Sequence, residues 1–267
     1  VPVMFLAAGG FPPVSTMLLT LLGGTMAAAG ANVINQVYDR DIDAVMVRTQ
    51  QRPLVTGRIS VRSALRFGIA LSIGSVLLLG LTVNVLSALL AAAAIAFYVF
   101  IYTMLLKRRT PQNIVWGGAA GCMQILIGWA AVTGSLSWAP MVLFGVVFFW
   151  TPPHYWPLSM RYRDDYAAAG VPMLPVVRNS KTVAVQIVLY SWAMVVSSLL
   201  LIPLAQMGAI YSAVAILGGL WFILESYRLH RESFRGEVKN PMKLFHGSIS
   251  YLTVLFIAVA IDPLIRF

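Results

Sequence analysis

Residues 14–43, which read VSTMLLTLLGGTMAAAGANVINQVYDRDID, decide the fold. Positions 14–38 contain no Asp, Glu, Lys or Arg, and aspartates follow at positions 39, 41 and 43. A membrane-spanning helix needs about 20 largely apolar residues. The stretch therefore predicts a transmembrane helix that ends in a cluster of acids at the membrane surface.

The rest of the chain has a similar composition. Hydrophobic residues make up 59% of the 267 residues and charged residues only 10%, whereas soluble domains carry about 25% charged residues. We predict an all-α, polytopic transmembrane helical bundle that forms a single domain. Nine helices are expected, the first as the tail of a truncated helix, at residues 1–8, 14–38, 62–82, 86–106, 113–133, 138–160, 183–205, 209–228 and 246–265.

Basic residues are segregated to one side of this predicted bundle. All of them except Arg266 lie in the connections after the second, fourth, sixth and eighth helices. By the positive-inside rule these connections face the cytoplasm or the mitochondrial matrix. The bacterial cytoplasmic membrane is favoured, and the mitochondrial inner membrane stays open. The same topology accounts for the net charge of +10 without a nucleic-acid partner.

Two acidic clusters lie on that same side. Asp39, Asp41 and Asp43 follow the second helix, and Asp164 and Asp165 follow the sixth. Asp43 and Asp165 are 122 residues apart, as are the expected starts of the next helices at positions 61 and 183. This spacing indicates an internal repeat of about four helices.

The first cluster has the pattern of a metal site. A polar pattern recurs at a spacing of three to four residues, which places its members on one helical face, namely Asn32, Asn35 or Gln36, Asp39 and Asp43. Two carboxylates beside an amide oxygen suit Mg²⁺, which completes its shell with water and substrate phosphate. A calcium loop is excluded, because Ala44 and Gln50 stand where it needs glycine and glutamate. A solvated helix end at the lipid headgroups is the alternative.

Cations suited to a diphosphate lie on the same side as these acids. Arg48 and Arg52 follow the first acidic cluster, and Lys107 and Arg108 follow the fourth helix. Such side chains bind phosphate oxygens and assist the departure of a diphosphate. Positive-inside topology is the alternative explanation for the cations, but it does not account for the carboxylates.

His154 is a further candidate, in the segment Thr151-Pro-Pro-His154 near the end of the sixth helix. Its spacing places it on one helical face with Arg161 and Asp165. Prolines at membrane depth occur next to cavities or partner helices, and ionisable residues there are candidates for function. A histidine that only packs is the alternative.

These motifs resemble the UbiA superfamily of intramembrane prenyltransferases, which share nine helices and two acidic motifs on one side. The resemblance is carried by residues 32–43, 48–54, 102–108, Asn113 with Gly117-Gly118, residues 151–154 and residues 164–175. Gln36 and Arg161 stand where ring-prenylating members have aspartates. Arg161 and the Pro-Pro-His element together resemble the sequence pattern of the branch of the family that acts on haem.

The resemblance implies a reaction and its partners. A farnesyl group passes from farnesyl diphosphate to a vinyl group of haem b, with addition of water, in a protein surrounded by lipid. The resemblance further implies hand-over of the product to a haem A synthase. It implies that Asp39 and Asp43 bind Mg²⁺ and that Asn35 has a catalytic role. The residues implied to bind diphosphate are Arg48, Arg52, Lys107 and Arg108. Asp164 and Asp165 would form the second acidic motif, and His154 would be a haem contact or proton acceptor.

Two other functions stay open. A related enzyme could prenylate an aromatic ring in quinone or pigment synthesis, against which Arg161 and the Pro-Pro-His element argue. An ion-coupled transporter could use the acids and His154 as its pathway. Transport sites are expected near the membrane midplane, whereas the charges of this chain gather at one face.

Overall fold

The computed structural model describes residues 1–265, and this range contains helices and no strands. The helices are α1 Pro2–Ala8, α2 Val14–Tyr38, α3 Arg40–Val45, α4 Val61–Thr82, α5 Val85–Leu106, α6 Asn113–Thr133, α7 Trp138–Arg161, α8 Arg163–Ala168, α9 Leu174–Val177, α10 Ser180–Leu204, α11 Ala209–Arg235 and α12 Met242–Ile265. All nine predicted helices are present. The short helices α3, α8 and α9 lie in the connections that carry the acidic clusters, and Arg266 lies outside the described residues.

Within residues 1–265, seven helices are long and apolar enough to cross a membrane, namely α2, α4, α5, α6, α10, α11 and α12. The helix α7 has 24 residues, but Pro152, Pro153 and Pro157 lie in its second half. With His154 they lower its hydropathy, although its length matches that of its neighbours. The chain is a multi-pass integral membrane protein with an all-α fold, as predicted.

The end of α11 differs from the prediction, which stopped at residue 228. The helix continues to Arg235 because its charged side chains support each other along one face. Arg228 pairs with Glu225 at 3.3 Å and with Glu232 at 3.1 Å, three and four residues apart, a spacing that stabilises helices. Apolar runs alone could not locate this end.

Consecutive helices pack side by side. α2 packs on α4, α4 on α5, α5 on α6, α6 on α7, and α7 on α10, while α12 contacts α1, α7 and α11. The α2–α4 contact is close: a Cβ atom on Gly30 would lie 2.8 Å from the Gly68 carbonyl oxygen. Small residues allow such approach between membrane helices. The main apolar core lies among α1, α6, α7, α10, α11 and α12.

The two acidic connections meet above α6. Ile42 and Met46 of the first connection pack with Ile114 of α6 and with Val171 and Met173 of the second. We call these five buried residues the rim cluster. It holds both connections against the same end of the bundle, which brings the sequence-distant acids to one rim.

One acid lies at the other end of the bundle. Asp262, near the end of α12, is 3% exposed. Its carboxylate accepts hydrogen bonds from the backbone N–H groups of Gly208 at 2.6 Å and Tyr211 at 3.1 Å. Asp262 therefore caps the start of α11 from a neighbouring helix.

Candidate active site

The first acidic cluster keeps the helical register of α2 beyond the end of that helix. The Asp39 N–H donates to the Asn35 carbonyl oxygen, and the Asp43 N–H donates to that of Asp39, each at 2.8 Å. Asn35, Asp39 and Asp43 therefore share one face, as their spacing predicted. Asp39 is 0% exposed and Asp43 is 3% exposed.

Asp39 is neutralised within the protein by residues of the connection after α5. The Lys107 ammonium group contacts Asp39 Oδ2, and Arg108 Nη2 lies 3.4 Å from Oδ1. Asn35 Nδ2 also donates to Asp39 Oδ2 at 2.7 Å. A buried carboxylate is tolerated when it is paired and hydrogen-bonded in this way.

Asp43 has its own cationic partner. Arg52 Nη1 donates to Asp43 Oδ2 at 2.6 Å, and the Thr49 hydroxyl donates to the Asp43 carbonyl oxygen at 3.0 Å. The second contact fixes the turn that returns Arg52 to the aspartate. Two predicted metal ligands are thus paired with two predicted diphosphate-binding residues.

Asp41 lies outside this buried face and binds Arg108 with both carboxylate oxygens, each at 2.7 Å. Hydrogen bonds from Arg108 lower the pKa of Asp41 to about 2, and they raise the pKa of the Arg108 guanidinium group in turn. The guanidinium carbon also lies 5.0 Å from the centre of the Tyr38 ring. Arg108 therefore joins the exposed and buried parts of the cluster.

The end of α5 aims Lys107 at the acids. Residues Phe97–Leu106 are π-helical, and the Lys107 N–H donates to the Tyr102 carbonyl oxygen five residues back, at 2.9 Å. Asn113, fully buried at the start of α6, donates from Nδ2 to the Lys107 carbonyl oxygen at 3.3 Å. Gly117 leaves room for the Tyr102 ring, which a Cβ atom there would meet at 2.2 Å.

The second acidic cluster is arranged differently. Asp165 Oδ1 accepts a hydrogen bond from the Val47 N–H at 3.4 Å, which links it to the first connection. Asp164 is exposed and makes no ion pair within residues 1–265. Burial raises the pKa of Tyr166, and the nearby Arg48 acts in the opposite direction. The structure thus brings Asp165 and Arg48 to the rim and leaves Asp164 in the open.

His154 faces α12. Its ring stacks between Trp150 and Phe245, with centroids 4.1 and 4.5 Å away, and its Nδ1 atom lies 2.8 Å from Ser248 Oγ. Ser248 Oγ also lies 2.6 Å from the Phe245 carbonyl oxygen, which can only accept a hydrogen bond. In the tautomer in which Ser248 donates to that carbonyl oxygen, Nδ1 of His154 is the donor to Ser248 Oγ. The lone pair on Nε2 is then the ring's acceptor.

The expected face joining His154, Arg161 and Asp165 is interrupted. The helix α7 ends at Arg161, and Tyr162, with φ −109° and ψ 29°, separates it from α8. Within residues 1–265, His154 makes no hydrogen bond or ring contact with either acidic cluster. Its predicted role stays a prediction.

Sequence reasoning missed three supporting residues. Thr103 accepts a hydrogen bond from Asn35 Nδ2 at 3.1 Å, Asn113 holds the Lys107 carbonyl group, and Ser248 fixes His154. Thr103 lies four residues before Lys107, a spacing that could have marked a shared helical face. No comparable local signal exists for Ser248, which is 94 residues from His154.

The donor set of the first cluster fits Mg²⁺. Within residues 1–265, no three His, Cys, Asp or Glu side chains lie close enough to share a metal ion. Mg²⁺ is held in proteins by one or two carboxylates, with water and substrate phosphate as the other ligands. Asp39, Asp43 and the Asn35 amide oxygen would supply such a set, and the cations Arg52 and Lys107 pair with its two carboxylates.

Comparison with known proteins agrees with this arrangement. The UbiA prenyltransferase family matches residues 1–249. A protein from Clavibacter sepedonicus named protoheme IX farnesyltransferase is 59% identical over 266 residues, which cover 100% of this chain and 87% of that protein. A protein of the same name from Streptomyces avermitilis is 59% identical over 270 residues, which cover 100% and 88%.

Solved structures agree in fold at low sequence identity. A structure of digeranylgeranylglyceryl phosphate synthase superposes with a TM-score of 0.82 at 19% identity, over 98% of this chain and 91% of that one. A UbiA homologue from Archaeoglobus fulgidus bound to DMAPP and Mg²⁺ gives 0.64 at 18% identity, over 97% and 94%. The matched sequence, the helical bundle and the acidic rim together show that this chain belongs to the UbiA prenyltransferase family.

Proposed function

We propose that the chain transfers the farnesyl group of farnesyl diphosphate to a vinyl group of haem b, with addition of water. The observation that carries this proposal is the 59% identity, over the whole chain, to relatives named protoheme IX farnesyltransferase. Membership of a prenyltransferase family sets the transporter alternative aside. The paired acids and cations of the rim support a diphosphate as one substrate.

The ion pairs of the rim are suited to an exchange of partners. In the protein alone, Asp39 is paired with Lys107 and Asp43 with Arg52. Asn35, Asp39 and Asp43 would hold Mg²⁺, and Lys107, Arg52 and Arg108 would turn to the diphosphate oxygens. When bound, Mg²⁺ neutralises charge on the diphosphate and makes it a better leaving group. The rim then has compensated charges both before and after substrate binding.

The reaction itself balances with one water molecule. The bond between carbon 1 of the farnesyl group and the diphosphate oxygen breaks, and its electron pair leaves with the diphosphate. The π electrons of the vinyl group form the new carbon–carbon bond. Water adds to the carbocation beside the porphyrin ring and releases a proton. The surrounding apolar helices keep water from the first cation until the vinyl group is in place.

His154 is proposed as a haem contact or as the acceptor of that proton. The support is its ring geometry: with the Ser248 hydroxyl donating to the Phe245 carbonyl oxygen, His154 Nδ1–H donates to Ser248 Oγ, and the neutral ring keeps an acceptor at Nε2. Trp150 and Phe245 hold the ring in place between them. An acceptor with a fixed orientation suits either role.

We also propose that the rim faces the cytoplasm of a bacterium and that the product passes to a haem A synthase. The positive-inside rule supports the orientation. Membrane-impermeant thiol labelling tests it, because Cys122 is buried and a single introduced cysteine can be read alone. We expect Thr56→Cys to be labelled only after the membrane is opened, and Ser135→Cys to be labelled in intact cells. The reverse pattern contradicts the orientation.

A membrane assay tests the activity. The purified protein is reconstituted into membranes and incubated with labelled farnesyl diphosphate, Mg²⁺ and either haem b or 4-hydroxybenzoate. We expect a haem product heavier by one farnesyl group and one water, and no labelled aromatic acid. Label found only in the aromatic acid contradicts haem as the substrate. Asp39→Asn is the inactive control. Asp41→Asn makes the same change at a neighbouring exposed aspartate and serves as the comparison variant.

A further inference from the structure

We propose that Thr103 is a positioning residue for the metal-binding face: its hydroxyl group orients the Asn35 amide, which in turn holds the Asp39 carboxylate. The inference rests on the proposed function, because it gives a purpose to a contact at the same site. Thr103 is fully buried in α5 and lies 68 residues from Asn35 in sequence. It touches neither substrate in this proposal and acts through Asn35.

The hydrogen bonds allow only one orientation of the Asn35 amide. Thr103 Oγ1 donates its single proton to the Tyr98 carbonyl oxygen at 2.8 Å, so it can only accept from Asn35. The Asp39 carboxylate can only accept as well. Asn35 Nδ2 therefore faces both, at 3.1 Å from Thr103 and 2.7 Å from Asp39.

In this orientation the amide oxygen of Asn35 is available to a ligand. Both N–H groups of Asn35 are engaged, and within residues 1–265 no donor forms a hydrogen bond to Oδ1. A free amide oxygen next to a carboxylate is a suitable ligand for Mg²⁺ or for its bound water. Without the Thr103 hydroxyl, one N–H group loses its partner and the amide can rotate.

The π-helical turn is what brings Thr103 to this place. Thr25, Thr82 and Thr133 each donate to the carbonyl oxygen four residues back, as expected in an α-helix. Thr103 instead donates to the carbonyl oxygen five residues back. A π-helical turn widens the helix and rotates the following side chains. Lys107, which directly follows the last residue of α5, lies four residues after Thr103 and contacts Asp39.

The experiment measures metal binding directly, in lipid nanodiscs with a saturating, non-reacting farnesyl thiodiphosphate. The readout is the Mg²⁺ concentration that gives half of the full rise in melting temperature. We expect Thr103→Val to raise this concentration by about 2- to 10-fold, because of its two lost hydrogen bonds the one from Asn35 is the one that orients the amide. Thr103→Ser keeps the hydroxyl and is expected to stay within about twofold of the wild type.

Thr20→Val is the matched control. Thr20 is 7% exposed in α2, and its hydroxyl has no hydrogen-bond partner within residues 1–265. We expect it to leave the Mg²⁺ requirement unchanged. A Thr103→Val variant that behaves like Thr20→Val overturns the inference, and so does a Thr103→Ser variant that loses as much as Thr103→Val.

An Asn35→Ala background separates positioning from general packing. If Thr103 acts through Asn35, then Thr103→Val has no further effect on the Mg²⁺ requirement once Asn35 is removed. An equal additional loss in that background overturns the inference. Failure of the proposed function is distinguishable, because it appears as the absence of a farnesylated haem in the membrane assay and leaves these melting shifts as they are. Failure of the metal-site assignment gives a third result: Asp39→Asn would then bind Mg²⁺ and the thiodiphosphate as the wild type does.

Discussion

Asp39 and Asp43, in the connection after α2, are buried, whereas Asp164 and Asp165, after α7, are exposed and partly buried. Asp39 is 0% exposed and Asp43 is 3% exposed, and each has a cationic partner. Asp164 is exposed, and Asp165 only caps the Val47 N–H. In the proposed function, the paired acids after α2 would meet the charged ligand, and Asp165 would support them through its contact with the Val47 N–H.

Among the substitutions that test this difference between the two acidic clusters, Asp39→Asn is expected to have the largest effect. We expect prenyl transfer to fall by about 10²- to 10³-fold, because a preorganised charge at the reacting group is lost. The melting temperature should also fall, since the Lys107 ammonium group loses its buried anion. Turnover and thermal unfolding are measured on the same nanodisc sample. If Asp39→Asn keeps half of the wild-type turnover, the first connection is not the metal site.

Joint binding of metal and diphosphate sharpens the contrast at the first connection. Either ligand alone would leave Asp43 or Arg52 with an uncompensated charge, whereas the two together compensate both. We expect the rise in melting temperature with Mg²⁺ and farnesyl thiodiphosphate together to exceed the sum of the separate rises. Arg52→Gln should reduce this excess, and Arg58→Gln serves as the control in the same connection. Additive shifts in the wild type would contradict the exchange of partners.

The second connection should respond unevenly to loss of its acids. Asp165→Asn weakens a hydrogen bond to the Val47 N–H and is expected to reduce turnover by about 2- to 10-fold. Asp164→Asn removes no contact within residues 1–265, and we expect less than a twofold change. Steady-state turnover at saturating Mg²⁺ compares the two. Equal and large losses would mean that both aspartates bind the substrate or metal.

The smallest expected effect concerns Asp41 and pH. Its pKa is lowered from 3.8 to about 2 by Arg108, so the pair stabilises the fold fully above pH 3.8 and less as the pH falls towards 2. The Asp41 side chain is 65% exposed, which limits this contribution to about 0.2–1 kcal/mol. Asp41→Asn should therefore be slightly less stable than the wild type at pH 5 and equally stable near pH 2. A difference that persists unchanged at pH 2 would contradict the pairing.

The helices and one face of the site could be predicted from local sequence. Apolar runs bounded by glycine and proline located the nine helices. The spacing of four residues placed Asn35, Asp39 and Asp43 on one helical face. Both signals act within one helical segment. The internal four-helix repeat remains a prediction.

Contacts between distant segments could not be predicted. Lys107 is 68 residues from Asp39, and only the packing of α5 against α2 brings them together. Thr103 likewise meets Asn35 across 68 residues, although its four-residue spacing from Lys107 is a local signal. The break at Tyr162 separated His154 from Asp165, although their spacing suggested a common face.

Asp262 bears on how α12 enters the bilayer. In the proposed topology its carboxylate crosses the membrane during synthesis, and a charged side chain is costly inside the bilayer. The N–H groups of Gly208 and Tyr211 that receive it belong to a segment made earlier. In that topology, docking of α12 on α11 would give the carboxylate its hydrogen-bond donors, and the crossing of α12 would also be a step of assembly.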